Sequence, residues 1–160
     1  MAPSEPRPAS AVEATPTRVP EDFLGYVVRR SSMAITERFQ ARMQRHGLRP
    51  LTFTVLLLIR GQPGITSSQL CSLLDLQSSN VVGLIRELES RGLVGRQDHP
   101  QDRRAWGLRL QPEGEELLAA AEPDACAADA EAMPHLTPAE LSTLRQLMCK
   151  GLGLAGRPAP

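Results

Sequence analysis

Apolar residues recur at helical spacing through most of the chain, and this periodicity predicts six helices. The predicted helices span about residues 21–46, 50–60, 66–74, 78–91, 111–133 and 137–152. The second contains the run TFTVLLLI, from Thr52 to Ile59, and is apolar almost all round, which is typical of a buried central helix. Between the fourth and fifth helices, residues 93–96 and 105–110 instead predict the two strands of a hairpin. Along the second strand, the apolar residues Trp106, Leu108 and Leu110 alternate with Gly107 and Arg109, so we expect the apolar side chains to point inward.

Local signals at the helix ends support these boundaries. Gly47 follows the first helix, as glycine does at many helix C-termini. Thr66 and Gln69 have the spacing of a capping box, in which each side chain bonds the other residue's backbone N–H. Thr137 and Glu140 repeat this pattern before the last helix.

Pro123 falls inside the fifth predicted helix and is expected to interrupt or kink it, because proline lacks a backbone N–H. The order of elements predicts a mainly α protein with a small β wing, a winged helix-turn-helix unit between flanking helices. We expect one domain over residues 21–152, with a reader at about 48–110 and flanking helices at about 21–46 and 112–152 that form an intertwined dimerisation region. Residues 1–20, rich in Pro and Ala, and residues 153–160 are predicted to be tails.

Charge changes the picture only through its distribution, because 18 basic residues balance 18 acidic ones. Seven arginines and one acid lie in residues 28–60, whereas eight acids and no basic residue lie in residues 111–141. This polarity is consistent with a basic face and an acidic body, or with ordinary solvated helix faces.

No apolar run reaches the ~18–20 residues that span a bilayer, and the N-terminus lacks the order of a signal peptide, so we expect a cytoplasmic protein with no membrane partner. Its three cysteines, Cys71, Cys126 and Cys149, lack metal-ligand spacing and are expected to be free thiols. His46, His99 and His135 give no short ligand spacing either, so we expect no metal and no cofactor. The sequence contains no nucleophile elbow and no Gly-rich phosphate loop, so we do not expect an enzyme.

The fourth predicted helix has one apolar face and one small, polar face. The apolar face consists of Val81, Leu84, Ile85 and Leu88, and the opposite face of Ser79, Val82, Gly83, Arg86 and Ser90. Gln77, Ser78, Ser79 and Asn80 lie at the N-terminal end, the end that enters the major groove in helix-turn-helix proteins. A face of this kind favours contacts with bases and phosphates, although capping alone would explain Ser78, Ser79 or Asn80.

The hairpin loop carries Asp102, Arg103 and Arg104, and two adjacent arginines on a wing suit the negative potential of a minor groove. In this interpretation Asp102 holds one of the arginines extended. A plain polar hairpin tip is the alternative.

Residues 47–117 resemble the MarR family, the multiple-antibiotic-resistance type regulators. The resemblance extends over about residues 21–152 and lies in five spaced motifs: Leu48-x-Pro50-Leu51-x-Phe53-x-Val55-Leu56, Pro63-Gly64-Ile65-Thr66, Ser79-Asn80-Val81-x-Gly83-Leu84-Ile85, Leu88-Glu89-x-Arg91-Gly92-Leu93-Val94 and Arg96-x-Asp98-x-Pro100-x-Asp102-Arg103-Arg104. It implies a DNA-binding transcriptional regulator, by family habit a repressor, that binds a pseudo-palindromic operator as a homodimer. Many members have Thr-Arg where this chain has Val82-Gly83, so Arg86 and Arg104 are expected to carry more of the DNA contact.

The resemblance also implies a small-molecule effector, an aromatic or phenolic anion, bound between the dimer helices and the reader. The residues expected to line its site are Phe23, Tyr26, Arg30, Met33, His46 and Phe53, the arginine facing the anion. The alternatives are that these residues are core and solvated surface, that the regulator senses thiol oxidation, or that the winged helix binds only protein.

Overall fold

Six α-helices and a three-stranded antiparallel sheet form the part of the chain that the structure describes, residues 18–98 and 106–154 of a computed structural model. The helices are α1 (Leu24–Met43), α2 (Pro50–Gly61), α3 (Ser67–Leu74), α4 (Ser78–Ser90), α5 (Pro112–Ala132) and α6 (Pro138–Gly151). The strands are β1 (Ile65–Thr66), β2 (Val94–Asp98) and β3 (Trp106–Leu110). The predicted winged helix-turn-helix with flanking helices is therefore confirmed.

The ends of the helices follow the local signals in the sequence. Both capping boxes are present: the N–H of Gln69 donates to Thr66 Oγ1 at 3.2 Å, and that of Glu140 to Thr137 Oγ1 at 3.3 Å. The return bonds run from the N–H of Thr66 and of Thr137 to the Gln69 and Glu140 side chains, each at 2.8 Å. The bonds from Thr137 hold the pKa of the Glu140 carboxyl below its usual value.

The first helix is shorter than the periodicity predicts. Short 3-10 turns at Pro20–Asp22 and Gln44–His46 flank α1. Phe23 has an extended backbone, which separates the first turn from α1, and Gly47 ends the second turn. Gly47 has a φ of +61°, the left-handed conformation that glycine adopts without steric cost, and it is the predicted helix stop.

Strand β1 has only two residues, too few for a periodic signal, and the sequence prediction missed it. It pairs with β3, which also pairs with β2, so the strand order is β1-β3-β2. The predicted alternation along β3 is only partly correct: Leu108 is buried, but Trp106 is exposed and Gly107 is buried. Gly107 is covered because it lies against the backbone of Gly64, so closely that a Cβ there would be 2.8 Å from the Gly64 Cα.

The core lies between α2, the inner face of α4 and the sheet. Val55, Leu56 and Ile59 of α2 are fully buried, as the all-round apolar pattern predicts for a central helix. The rings of Phe39 in α1 and Phe53 in α2 pack edge to face, with centroids 5.3 Å apart, and so join the first helix to this core. Within the described ranges, no helix has the length and hydropathy needed to cross a membrane.

Helix α5 continues through Pro123, so the predicted interruption is wrong. Contacts with other helices flank the proline: Glu122 accepts hydrogen bonds from Arg60 of α2, and Asp124 accepts them from the end of α1. We infer that these tertiary contacts offset the backbone hydrogen bond that a proline removes inside a helix.

An ionic cluster joins the C-terminal end of α1 to α5. Asp124 accepts hydrogen bonds from Arg42 at 3.1 Å and from Arg45, and its other oxygen lies 2.6 Å from His46 Nε2. Arg42 also donates to Glu131, which lowers the pKa of that carboxyl. Arginines of residues 28–60 thus pair with acids of residues 111–141. Much of the uneven charge distribution in the sequence is therefore explained by ion pairs between helices.

Two glycines in helices provide a matched test of packing. A Cβ at Gly114 would lie 2.2 Å from the carbonyl oxygen of Leu93, whereas a Cβ at Gly83 would have nothing within 4 Å. We predict that Gly114→Ala lowers the free energy of unfolding by about 1–3 kcal/mol, because the backbone of Leu93 must move. Gly83→Ala should raise it by about 0.5–1 kcal/mol, since alanine favours the helix. Urea denaturation measures both, and equal effects would contradict this packing.

The ionic cluster predicts a second stability difference, this time along α5. Asp124→Ala leaves Arg42, Arg45 and His46 without their shared carboxylate, and we expect a loss of about 1–2 kcal/mol in the free energy of unfolding. The control is Glu116→Ala, an exposed acid of the same helix, for which we expect a change below about 0.5 kcal/mol. Thermal or urea unfolding of both variants checks the cluster, and a neutral Asp124→Ala would rule out its contribution.

Candidate nucleic-acid interface

A tight turn between α3 and α4 sets the direction of the fourth helix. Asp75 has a φ of +51°, a left-handed conformation that is uncommon outside glycine but tolerated by aspartate. The N–H of Leu76 then donates to the carbonyl oxygen of Cys71 at 3.1 Å and closes the end of α3. With α4 beginning at Ser78, the predicted three-residue connection of residues 75–77 is confirmed.

Helix α4 is buried on one side and open on the other, as its sequence predicts. Val81, Leu84, Ile85 and Leu88 are the buried residues of the helix. On the opposite side Ser79, Gly83, Arg86 and Ser90 are exposed, and Val82 is half-buried. The inner residues therefore fix the helix to the core and leave a small, polar outer face accessible.

The N-terminal end of α4 is not capped by its own polar side chains. Gln77 is the N-cap residue but makes no side-chain cap hydrogen bond. Ser78, Ser79 and Asn80 are exposed, and their side chains form no hydrogen bond with any residue in the described ranges. The capping alternative is therefore wrong, and these polar groups are available to an external partner.

Charges around α4 leave one cation available on its outer face. Arg49, at the start of α2, donates to Glu87 at 2.5 Å, and Arg96 of β2 donates to Glu89 at 2.6 Å. The Glu89 bond raises the pKa of Arg96. Arg86 is exposed and has no ion pair among the described residues, so the two acids of the helix are balanced while this arginine is not. Sequence reasoning missed Arg49, which is 38 residues from its partner and carries no local signal.

The two strands of the wing, β2 and β3, are paired as far as Asp98 with Trp106. The predicted residues Asp102, Arg103 and Arg104 lie outside the described residues. Trp106, the first residue of β3, is 57% exposed, although the alternation along this strand predicts an inward side chain.

The six residues predicted to hold an effector lie in three different settings. Phe23, Tyr26, Arg30 and Met33 are exposed along the first half of α1. His46 is bonded to Asp124, and Phe53 is buried against Phe39.

Large apolar side chains are exposed on two of the flanking helices, α1 and α6. On α1 and just before it, Phe23, Leu24, Val27 and Met33 are exposed, and on α6 Leu147, Met148 and Leu152 are exposed. Helix α6 has no buried residue at all. Large apolar side chains exposed in such number are typical of an interaction surface.

A cavity of about 900 Å³ opens between α1, the start of α2 and α4. It is lined by residues from 37–44, 48–52 and 79–87, and these include Ser79 and Gly83 of the outer face of α4 and Asn80 at its N-terminal end. No local pattern in the sequence predicts this cavity, because its three walls are distant in the chain. The described residues contain no group of three or more His, Cys, Asp or Glu side chains arranged to hold a metal ion.

Comparison with known proteins agrees with this architecture. The sequence model of the MarR family matches residues 46–105, from the end of α1 to the wing. The Thauera aromatica protein named as a transcriptional regulatory protein for the hcr operon is 31% identical over 126 residues, which is 78% of this chain and 76% of that protein.

Two solved structures superpose over most of the chain. The transcriptional repressor CouR of Rhodococcus jostii RHA1, bound to a 23-mer DNA duplex, is 27% identical, with a TM-score of 0.71 over 83% of this chain and 94% of CouR. The Mycobacterium tuberculosis MarR family protein Rv2887, in complex with salicylic acid, is 25% identical, with a TM-score of 0.66 over 80% of this chain and 95% of that one. These relatives are transcriptional regulators, and the chain belongs to the MarR family.

Proposed function

We propose that this regulator binds a pseudo-palindromic DNA operator as a homodimer, and that it acts as a repressor released by a small-molecule effector. The observation that carries the proposal is the exposed side of α4, where the side chains of Ser79, Asn80 and Arg86 make no hydrogen bonds or ion pairs with the described residues.

The chemistry of this face suits duplex DNA. Ser79 and Gly83 are small enough for the helix to approach base edges closely in a major groove, and Asn80 and Arg86 supply hydrogen-bond donors. The pairing of Glu87 and Glu89 with arginines reduces the repulsion that these acids would exert on phosphates. The DNA duplex bound by CouR, a relative with the same fold, supports this assignment.

The apolar surface of α1 and α6 supports the homodimer. Burial of this surface in a two-fold interface would place two copies of α4 about one helical turn of DNA apart, which is why we expect a pseudo-palindromic operator. Because its partner is chromosomal DNA, we place the protein in the cytoplasm.

The effector proposal draws on a relative and on the exposed residues of α1. The salicylic acid bound by Rv2887 supports a small aromatic anion, and the dimer would bring a second α1 close to Tyr26, Arg30 and Met33. Thiol sensing is the second candidate, since Cys126 is exposed, whereas Cys71 and Cys149 are half-buried.

The test uses a duplex carrying the promoter of the protein's own gene. We predict that Arg86→Ala weakens binding about tenfold, by loss of a base or phosphate contact, and that Arg104→Ala on the wing does the same. The control is Arg145→Ala, an exposed arginine of α6, for which the affinity should stay within about twofold. Fluorescence anisotropy at one fixed, moderate salt concentration gives the three dissociation constants.

Two results would count against the proposal. Unchanged affinity for both Arg86→Ala and Arg104→Ala would exclude α4 and the wing as the reading surface. A wild-type protein that binds no promoter duplex, but does bind a protein partner through α4, would favour the interaction module instead.

A further inference from the structure

The cavity beside α4 has the form of a small-molecule site. Its volume of about 900 Å³ lies within the range of sites that hold drug-sized ligands. Leu48 and Leu84 are buried in its walls, while Gln40, Gln44 and Asn80 supply polar groups. Apolar walls with a few polar groups are the usual composition of a ligand pocket.

Hydrogen bonds between its walls hold the cavity in shape. Arg49 at the start of α2 bonds Glu87 of α4, and Arg91, just after α4, donates to the carbonyl oxygen of Gly47 at 3.0 Å. The segment between α1 and α2 is thus bonded to α4 at Glu87 and to Arg91, the residue that follows the helix. A site formed in advance in this way spends little free energy on ordering when a ligand binds.

The charges of the cavity decide which ligand it suits. Its lining contains two acids and one base, Glu37, Glu87 and Arg49, so the net charge is −1. Arg49 and Glu87 balance each other at 2.5 Å. Glu37 is exposed, and it has no hydrogen bond or ion pair with any residue of 18–98 or 106–154. The one unbalanced charge in the lining is therefore negative.

We propose that this cavity binds an amphipathic cation, an aromatic molecule that carries an ammonium group. The ammonium pairs with Glu37, and the rings lie against Leu48 and Leu84. An aromatic anion of the same size meets repulsion from Glu37 and finds Arg49 already paired. The site is separate from the anion site expected from the sequence, since none of Phe23, Tyr26, Arg30, Met33, His46 and Phe53 lines it.

The cavity shares residues with the DNA-reading face, so its ligand acts on DNA binding. Ser79, Asn80 and Gly83 line the cavity and also belong to the face assigned to the major groove. A molecule that fills the cavity covers part of that face, and the cation and DNA exclude one another. This step rests on the proposed function, whereas binding of the cation itself does not.

The binding test uses two probes of equal ring size and opposite charge, 1-naphthylmethylammonium and 1-naphthoate, titrated into the full chain without DNA in a calorimeter. We expect the ammonium to bind at least about threefold more tightly than the carboxylate. Glu37→Gln should weaken the ammonium by about threefold, the size expected of an exposed ion pair, and Glu116→Gln on α5 should leave it unchanged. Ala41→Phe, which places a ring inside the cavity, should abolish its binding.

The DNA test adds the ammonium to the anisotropy titration. The apparent dissociation constant for the promoter duplex should rise with ammonium in the wild type, and should not respond to it in Ala41→Phe, whatever the starting affinity of that variant. Equal or tighter binding of naphthoate, no binding of the ammonium, or no effect of Glu37→Gln would overturn the cation site. Binding of the ammonium without any response of DNA affinity would overturn the competition. If the wild type binds no DNA at all, the proposed function fails while the calorimetric result still decides the cation site.

Discussion

Burial of the inner face of α4 is the constraint on which the rest of the structure depends. Val81 and Leu88 are fully buried, and Leu84 and Ile85 nearly so. Because four apolar residues at i, i+3, i+4 and i+7 take up one side of a helix, the opposite side must face outward. The same packing that stabilises the domain therefore presents Ser79, Gly83 and Arg86 to solvent.

Two groups of ion pairs support this arrangement, one at the end of α1 and one around α4. At the end of α1, Arg42, Arg45 and His46 share Asp124 and hold α5 against the first helix. Around α4, Arg49 and Arg96 balance the acids of the helix and leave Arg86 without an internal partner. Exposed pairs of this kind add little stability each, so we attribute their importance near α4 to charge balance on the surface rather than to folding.

The sequence was sufficient for the elements whose signals are local. The two capping boxes, the glycine stop at Gly47, the faces of α4 and the short turn before it depend on residues within a few positions of one another, and all are present. The predictions that were wrong or missing concern features that depend on residues distant in the chain. Pro123 does not interrupt α5, Trp106 is not covered, and β1 exists only because β3 pairs with it. The cavity could not be predicted because three separate segments form its walls. The predicted DNA-binding residues of α4 lie together on one exposed surface, while their contacts with DNA stay a prediction.

Hydrogen exchange with and without the promoter duplex tests the central claim, that the outer face and N-terminal end of α4 read DNA. The first N–H groups of a helix have no partner within the helix, so amides near Ser78 should exchange quickly in the free protein. We predict that a peptide covering residues 77–86 exchanges more slowly in the complex, while one covering α6 exchanges at the same rate in both states. Exchange that is unchanged over residues 77–86 but slowed elsewhere on the chain would contradict the account.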